Sequence, residues 1–347
     1  MKMKTLIVIF ALFTTSLVLL AADEPEQKFA WLGDFRLENG REIKNLKLGY
    51  RTAGELNADK SNAVLFPTWF TGTTKDLVDY VGPGRLVDSS KYFVIFVDAL
   101  GDGVSSSPSN SREQPHMRFP QINIRDMVRA EYELATKHLK IPHLRAVMGI
   151  AMGGLQTFEW IVSYPDFMDK AIPIDGSPQL TSYDLLLWTA ELHALESDPA
   201  WKGGEYTSPP PAGTATAADI LALALTSPQD RVRKIPPRDF LQFLEKNRQD
   251  TMQNFDDNDR ISQLQAMIAH DVSVPFGGSM EKAAAAVHAK VLVIVALKDH
   301  DVNPIPALDF ARLIFAPTLE LDSDCGHMSF QCESDNVNQT VARFLEK

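Results

Sequence analysis

The chain alternates between short apolar runs and longer amphipathic segments. Residues 29–37 and 46–53 alternate apolar and polar side chains on either side of the turn Glu38-Asn39-Gly40, which predicts two paired strands. Residues 124–139 place apolar side chains near one stripe, and residues 154–163 continue with a helical pattern. Five further runs are apolar throughout, as strands buried on both sheet faces are: residues 63–66, 92–97, 146–149, 171–174 and 291–295. Strands that alternate with helices predict an α/β fold with a mostly parallel sheet and helices on both faces.

The regular alternation stops between about residues 181 and 275. This stretch holds an apolar helical segment at 182–195, a Pro/Gly-rich loop at 203–213 and further helical pattern up to residue 268. We interpret it as a helical lid inserted into the sheet domain. The predicted organisation is a signal peptide at 1–22, a first core part at 23–180, the lid at 181–275 and a second core part at 276–347. The second core part is predicted to hold a helix at 306–315, a strand at 318–321 and a final helix at 335–345.

The N-terminus has the pattern of a secretory signal peptide. Lys2 and Lys4 precede an apolar stretch at residues 5–20, and Ala21-Ala22 stand before Asp23. The stretch is short for a membrane span, so we expect export to the periplasm or the medium. An uncleaved anchor remains the alternative, because a cleavage after Ala22 would have Leu20 rather than a small residue three positions before it.

Composition narrows the choice of partners. The chain is 45% hydrophobic and 23% charged, as globular proteins are, and its net charge is −11. This charge argues against non-specific binding to nucleic acid, and no membrane contact beyond the signal segment is expected.

Cys325 and Cys332 are seven residues apart, so a local disulfide and two unpaired thiols both remain open. No metal-ligand pattern surrounds them, and no metal or other cofactor is expected.

The segment 146–154 has the layout of a nucleophile elbow. An apolar strand breaks at Gly149 into a turn that continues with Gly153-Gly154 and opens a helix, as in the pattern G-x-S-x-G. The central position of that pattern is Ala151, where a catalytic serine is expected. A methyl group cannot attack a carbonyl, so the sequence predicts a hydrolase scaffold without its nucleophile.

Two later segments complete the order of a Ser-Asp-His triad. Asp299 follows the apolar run 291–295, and His327 follows the short predicted strand at 318–321. In open α/β sheets such positions meet at the carboxyl edge, where His327 would act as general base and Asp299 would orient it. Asp301 competes with Asp299 for the orienting role, or caps the helix that begins near residues 304–306.

The backbone N–H groups of Met152 and Phe70 are the predicted oxyanion hole. Met152 follows the elbow position directly, and Phe70 lies in the loop after the strand at 63–66. The alternative for this loop is a plain turn with an aromatic side chain packed into the core.

Longer segments resemble a known family. They are Gly82-Pro83-Gly84 with Asp88, residues 91–95, Phe119-Pro120 with 124–129, residues 152–156 with Glu159-Trp160 and Tyr164-Pro165, and residues 255–258. With these segments, the chain resembles the homoserine O-acetyltransferase branch of the α/β-hydrolase superfamily over most of its length. The resemblance implies an α/β-hydrolase fold. In that family the elbow serine takes an acyl group from acyl-CoA and passes it to homoserine, and relatives include other acyltransferases and esterases.

Four features argue against homoserine acetylation here. The nucleophile position holds Ala151, and Met328 follows the histidine where the family has an acidic residue that holds the homoserine amino group. Residues 101–108 differ from the usual family form, and an exported protein would meet little acyl-CoA. Export therefore fits an ester hydrolase better.

Three functions remain open for this scaffold, each with a small ester or acyl compound as ligand. The chain comes from an esterase or acyltransferase lineage and has lost its nucleophile, which impairs covalent catalysis. Alternatively, the His327–Asp299 dyad serves directly as a general base on water or on a substrate proton. The third function is a non-catalytic binding protein, in effect a pseudoenzyme. A homodimer is one expectation for its assembly.

Overall fold

A computed structural model describes residues 24–347 and shows one sheet of nine strands. The strand order is β1-β2-β4-β3-β5-β6-β8-β9, and β7 also pairs with β6. The strands are β1 Lys28–Arg36, β2 Glu42–Ala53, β3 Ala63–Pro67, β4 Phe93–Val97, β5 Leu144–Ile150, β6 Met168–Ile174, β7 Lys290–Val291, β8 Val293–Ala296 and β9 Thr318–Leu321. The pairs β1·β2 and β2·β4 are antiparallel, and every other pair of strands is parallel. The predicted mostly parallel sheet is therefore confirmed. The predicted signal peptide lies outside the described residues.

Twelve α-helices accompany the strands in residues 24–347. They are α1 Thr74–Leu77, α2 Ile124–Glu133, α3 Met152–Ser163, α4 Ser182–Glu196, α5 Pro211–Leu225, α6 Pro228–Lys234, α7 Phe240–Asn254, α8 Asp257–Ile268, α9 Met280–Ala285, α10 Ile305–Leu313, α11 Ser329–Cys332 and α12 Ser334–Glu346.

Both faces of the sheet are covered, as the apolar runs predict. On β3, Val64 and Phe66 belong to one apolar cluster, while Leu65 between them belongs to another. Successive side chains of a strand point to opposite faces, so the two clusters lie on opposite sides of the sheet. Leu155 of α3 joins the cluster of Leu65, and Val341 of α12 joins that of Val64. This double cover is why uninterrupted apolar runs, rather than alternating ones, form the central strands.

Six helices, α4 to α9, lie between β6 and β7. α4 packs against α5 and α8, and α5 packs against α7 and against the turn Gly326–Met328. The predicted lid of residues 181–275 covers α4 to α8, while α9 follows its end. The division into core and lid stays a prediction, but the helices of this stretch reach the residues predicted for catalysis.

A disulfide joins Cys325 to Cys332, which decides between the two alternatives that the sequence left open. It closes a short loop around the turn Gly326–Met328 and α11. Within residues 24–347, no helix has both the length and the apolar character that a membrane crossing requires.

Candidate active site

The elbow keeps its backbone conformation without a serine. Ala151 lies between β5 and α3 with φ +53° and ψ −119°, a region that residues with a Cβ rarely adopt. Two glycines allow the turn: a Cβ on Gly149 would lie 2.1 Å from the carbonyl oxygen of Gly153, and a Cβ on Gly153 would lie 2.7 Å from that of Pro67. The Ala151 methyl faces a cavity. The chain therefore builds the turn of a nucleophile elbow and lacks only the hydroxyl.

His327 lies in the turn after β9, beside the loop that follows β8. Its Nδ1 is 2.7 Å from Oδ2 of Asp299, and both side chains are buried. The other carboxylate oxygen of Asp299 accepts the backbone N–H groups of Asp301 and Val302 at 2.8 and 2.9 Å. These bonds fix the carboxylate, so its contact with Nδ1 directs Nε2 of the ring away from Asp299. The structure thus brings the predicted pair together and gives Asp299, rather than Asp301, the contact with Nδ1.

Asp301 does not cap the following helix. The first N–H of α10, at Ile305, is accepted by the side chain of Asn303 at 3.0 Å instead. Asp301 accepts a hydrogen bond from Nε1 of Trp188 at 3.2 Å through Oδ1, and its Oδ2 lies 3.7 Å from Nε2 of His327. Sequence reasoning missed both contacts, because Trp188 is 113 residues away in the chain and no local pattern relates it to this loop.

The charges around His327 favour its protonated form. Burial lowers the pKa of the imidazole, but the carboxylates of Asp299 and Asp301 outweigh burial and raise the pKa to about 10. Burial, followed by the charge of Asp299, raises the pKa of Asp175 at the end of β6 to about 8. Burial also raises the pKa of Asp301 above its ordinary value. At neutral pH the ring is therefore a cation, with one carboxylate beside each nitrogen.

Of the two predicted oxyanion donors, Phe70 lines the same cavity, and Met152 begins α3 directly after Ala151. The neighbouring N–H of Thr71 is already used, since it donates to Gln263 at 2.9 Å, and the side chain of Gln156 donates to the carbonyl of Thr68 at 3.0 Å. These bonds fix the loop that carries Phe70. In residues 24–347, neither the N–H of Phe70 nor that of Met152 has a hydrogen-bond acceptor, as an oxyanion hole requires.

The cavity above Ala151 has a volume of about 230 Å³. Its walls are mostly apolar, with His327 and Asp301 among the few polar side chains. The remaining lining residues are Trp69, Phe70, Thr71, Ile150, Leu221, Leu225, Met328, Phe330 and Gln331. Pockets for drug-sized ligands usually range from about 300 to 1,000 Å³, so this one suits a smaller molecule. No group of side chains in residues 24–347 has the arrangement of a metal site.

Three comparisons with known proteins identify the family and the fold of the chain. A family model described as alpha/beta hydrolase fold matches residues 66–331. The chain is 41% identical to a probable esterase of Corynebacterium glutamicum over 182 residues, which are 52% of each chain. It is 32% identical to the ethyl acetate hydrolase of Pseudomonas veronii over 91% of this chain and 93% of that protein. The crystal structure of homoserine O-acetyltransferase from Bacillus anthracis is 25% identical and matches with a TM-score of 0.84, over 93% of this chain and 98% of that one. The predicted α/β-hydrolase fold and the resemblance to homoserine O-acetyltransferases are confirmed.

Proposed function

Because the chain belongs to the α/β-hydrolase fold family, we propose that it binds a small carboxylic ester above Ala151 and comes from an esterase lineage that has lost its covalent nucleophile. The observation that carries the proposal is the backbone of Ala151, which keeps φ +53° and ψ −119° although no hydroxyl needs this conformation. The turn, the His327–Asp299 contact and the two free N–H groups are what ester binding and acyl transfer require. Only the attacking atom is missing.

The cavity supports an ester rather than homoserine as ligand. Met328 presents a thioether to the cavity, where the resembled family has an acid for the amino group of homoserine. Other apolar side chains also line the cavity, among them Trp69, Leu221 and Phe330. An uncharged ester loses little hydration free energy in such surroundings. An ammonium group would lose much more, because the one carboxylate among the lining residues, Asp301, already faces His327. The ester hydrolase among the relatives, which aligns over nearly the whole chain, points the same way.

The Ala151→Ser variant tests this proposal. Removal of a triad serine costs about 10⁶-fold in kcat, so we expect its return to raise the hydrolysis of 4-nitrophenyl acetate by at least ~10³-fold. The assay should run from pH 7 to pH 10, because the carboxylates raise the pKa of His327 to about 10 against the opposing effect of burial. Mass spectrometry of the variant, quenched early in the reaction, should detect an acetyl group on the introduced serine.

The matched control is the double variant Ala151→Ser/His327→Ala, which keeps the new hydroxyl and removes the group that activates it. Its activity should return to that of the original chain. If a folded Ala151→Ser variant gains no activity at any pH and forms no acyl-enzyme, the esterase lineage is the wrong explanation for this site.

A further inference from the structure

We propose that Asp301 and His327 form a base and acid pair that hydrolyses a bound ester by direct attack of water, without a nucleophile at residue 151. This inference rests on the proposed ester site and adds an activity to it. It differs from a dyad of His327 and Asp299, because here the imidazole donates a proton and a second carboxylate accepts one.

The geometry places both groups on the wall of the cavity above Ala151. Oδ2 of Asp301 lies 3.7 Å from Nε2 of His327, and both residues line the cavity together with Ala151. A serine triad uses Nε2 to take the proton of the elbow hydroxyl. Here the same nitrogen faces a carboxylate across a gap that is too long for a hydrogen bond. Each group therefore keeps its proton-transfer site available to a molecule in the cavity.

The surrounding contacts leave one oxygen of Asp301 for this role. Oδ1 accepts the indole N–H of Trp188 at 3.2 Å, and the backbone N–H of Asp301 donates to Asp299 at 2.8 Å. Asp301 is 8% exposed, so these bonds hold a nearly buried carboxylate in one orientation. Oδ2 accepts no hydrogen bond from any of residues 24–347 and lies 3.7 Å from Nε2 of His327.

The protonation states also fit the two roles. Although burial lowers the pKa of His327, the charges of Asp299 and Asp301 raise it to about 10, so Nε2 carries a proton at neutral pH. Burial raises the pKa of Asp301, which makes its ionised carboxylate a stronger base. Asp299 holds the Nδ1 proton throughout and takes no part in the transfer.

The reaction is balanced without any further reactant. The oxygen of a water above the Ala151 methyl bonds to the carbonyl carbon while Asp301 Oδ2 takes a water proton. The negative carbonyl oxygen is held by the N–H groups of Phe70 and Met152. The bond to the alcohol oxygen then breaks, and His327 Nε2 donates its proton to that oxygen. Carboxylic acid and alcohol leave, and the next water in the cavity takes the proton from Asp301 and gives one to Nε2, which restores both groups.

Alanine at the elbow is an advantage for this reaction. A serine at residue 151 would extend its hydroxyl into the space in which the water must stand, whereas the Ala151 methyl leaves that space open to the cavity. The same substitution that closes the covalent path therefore gives water access to the carbonyl carbon.

The test compares the unaltered chain with Asp301→Asn in the hydrolysis of phenyl acetate at pH 7.5. General-base catalysis contributes about 10²–10⁴-fold, so we expect Asp301→Asn to lower kcat/KM by about 100-fold. Asp309→Asn is the matched control, because this exposed carboxylate of α10 pairs with Arg312 far from any reacting atom. It should leave kcat/KM unchanged. The unaltered chain should show neither a burst phase nor an acyl-enzyme.

Binding is followed separately with 2-pentanone, an isostere of ethyl acetate that cannot be hydrolysed. It should raise the melting temperature of both the unaltered chain and Asp301→Asn, which shows that the variant is folded and keeps the cavity. Equal turnover of the two proteins, or turnover no faster than buffer, would overturn the acid and base pair while ester binding stands. Absence of 2-pentanone binding together with an inactive Ala151→Ser variant would overturn the proposed function itself.

Discussion

At the scale of single residues, Ala151 shows that the strained backbone of a nucleophile elbow is kept in a chain that has no nucleophile there. A residue with a Cβ at φ +53° and ψ −119° stores about 1–3 kcal/mol of backbone strain. Where a serine stands at the elbow, this strained turn is part of the catalytic mechanism. Here the strain persists without the nucleophile. The contacts of Gly149 and Gly153 explain why: the close approach of β5 and α3 imposes the turn on whichever residue stands between them.

The Ala151→Gly variant tests this strain. Glycine adopts the turn without a Cβ penalty, but it adds entropy to the unfolded chain, about 0.4–1 kcal/mol, and loses a methyl group worth about 0.8 kcal/mol. The net change in the free energy of unfolding, measured in urea, should therefore lie between a loss of about 1 kcal/mol and a gain of about 2 kcal/mol. Ala146→Gly is the control, because Ala146 is fully buried in β5 with no positive φ. It should destabilise by about 1–2 kcal/mol. Equal losses in the two variants would show that Ala151 is not strained.

The protonation of His327 depends on the carboxylates beside it. A general base must be unprotonated at the working pH. Burial lowers the pKa of this imidazole, but the carboxylates beside its two nitrogens outweigh burial and favour the protonated form by raising the pKa to about 10. The prediction that the His327–Asp299 dyad acts alone as a base requires a working pH at which this imidazole has lost its proton. In the reaction proposed above His327 is the proton donor, and the carboxylates of Asp299 and Asp301 keep it protonated.

At the scale of elements, hydrophobic patterning predicted most of the fold. The strand at 318–321 coincides with β9, and the helix predicted at 182–195 is α4, Ser182–Glu196. These two predictions are correct because the pattern of buried and exposed positions in a strand or helix is visible in its own sequence. The run 291–295 was predicted as one strand, but the ladder is interrupted at Leu292 and forms β7 and β8. Ladder pairing depends on neighbouring strands, which a local pattern does not contain.

The sequence predicted only those parts of the candidate site that directly follow a predicted strand. The elbow, Asp299 and His327 each follow a predicted strand, so their meeting at one sheet edge follows from parallel topology. The contact of Asp301 with Trp188 joins α4 to the loop after β8. Nothing in the spacing of these two residues indicates it.

The disulfide between Cys325 and Cys332 stabilises the element that carries His327. Closing a loop of this length should contribute about 2–3 kcal/mol by restricting the unfolded chain. We expect the double variant Cys325→Ser/Cys332→Ser to lower the free energy of unfolding in urea by that amount. Dithiothreitol should lower the stability of the unaltered chain equally and leave the double variant unaffected. An unaltered chain that is insensitive to the reductant would contradict a disulfide at this position.

At the scale of the whole molecule, the site is assembled from distant parts of the chain. The loop after β3 supplies Phe70, the elbow supplies Ala151, and α5 supplies Leu221 and Leu225 as one wall of the cavity. α4 supplies Trp188, which holds Asp301. The helices between β6 and β7 therefore do more than cover the sheet: they complete the pocket and orient its second carboxylate. Substitutions in this stretch should alter ligand size and proton transfer together.

Two independent features of the whole chain indicate export, which we propose as its destination. The N-terminal pattern is that of a signal peptide, and the disulfide is typical of proteins in oxidising compartments. Such a compartment also lacks the acyl-CoA that homoserine acetylation would need. Export and an ester ligand are therefore mutually consistent.

Expression of the full chain in a Gram-negative bacterium tests this destination. We expect the protein in the periplasm or the medium, with an N-terminus at Asp23 by sequencing and no free thiol by alkylation. Leu12→Arg places a charge in the apolar stretch and should block export, because that stretch must enter the membrane to be recognised. The retained protein should keep Met1 and two free thiols, since the cytoplasm is reducing. An unaltered chain that keeps residues 1–22 in the membrane fraction would show an uncleaved anchor instead.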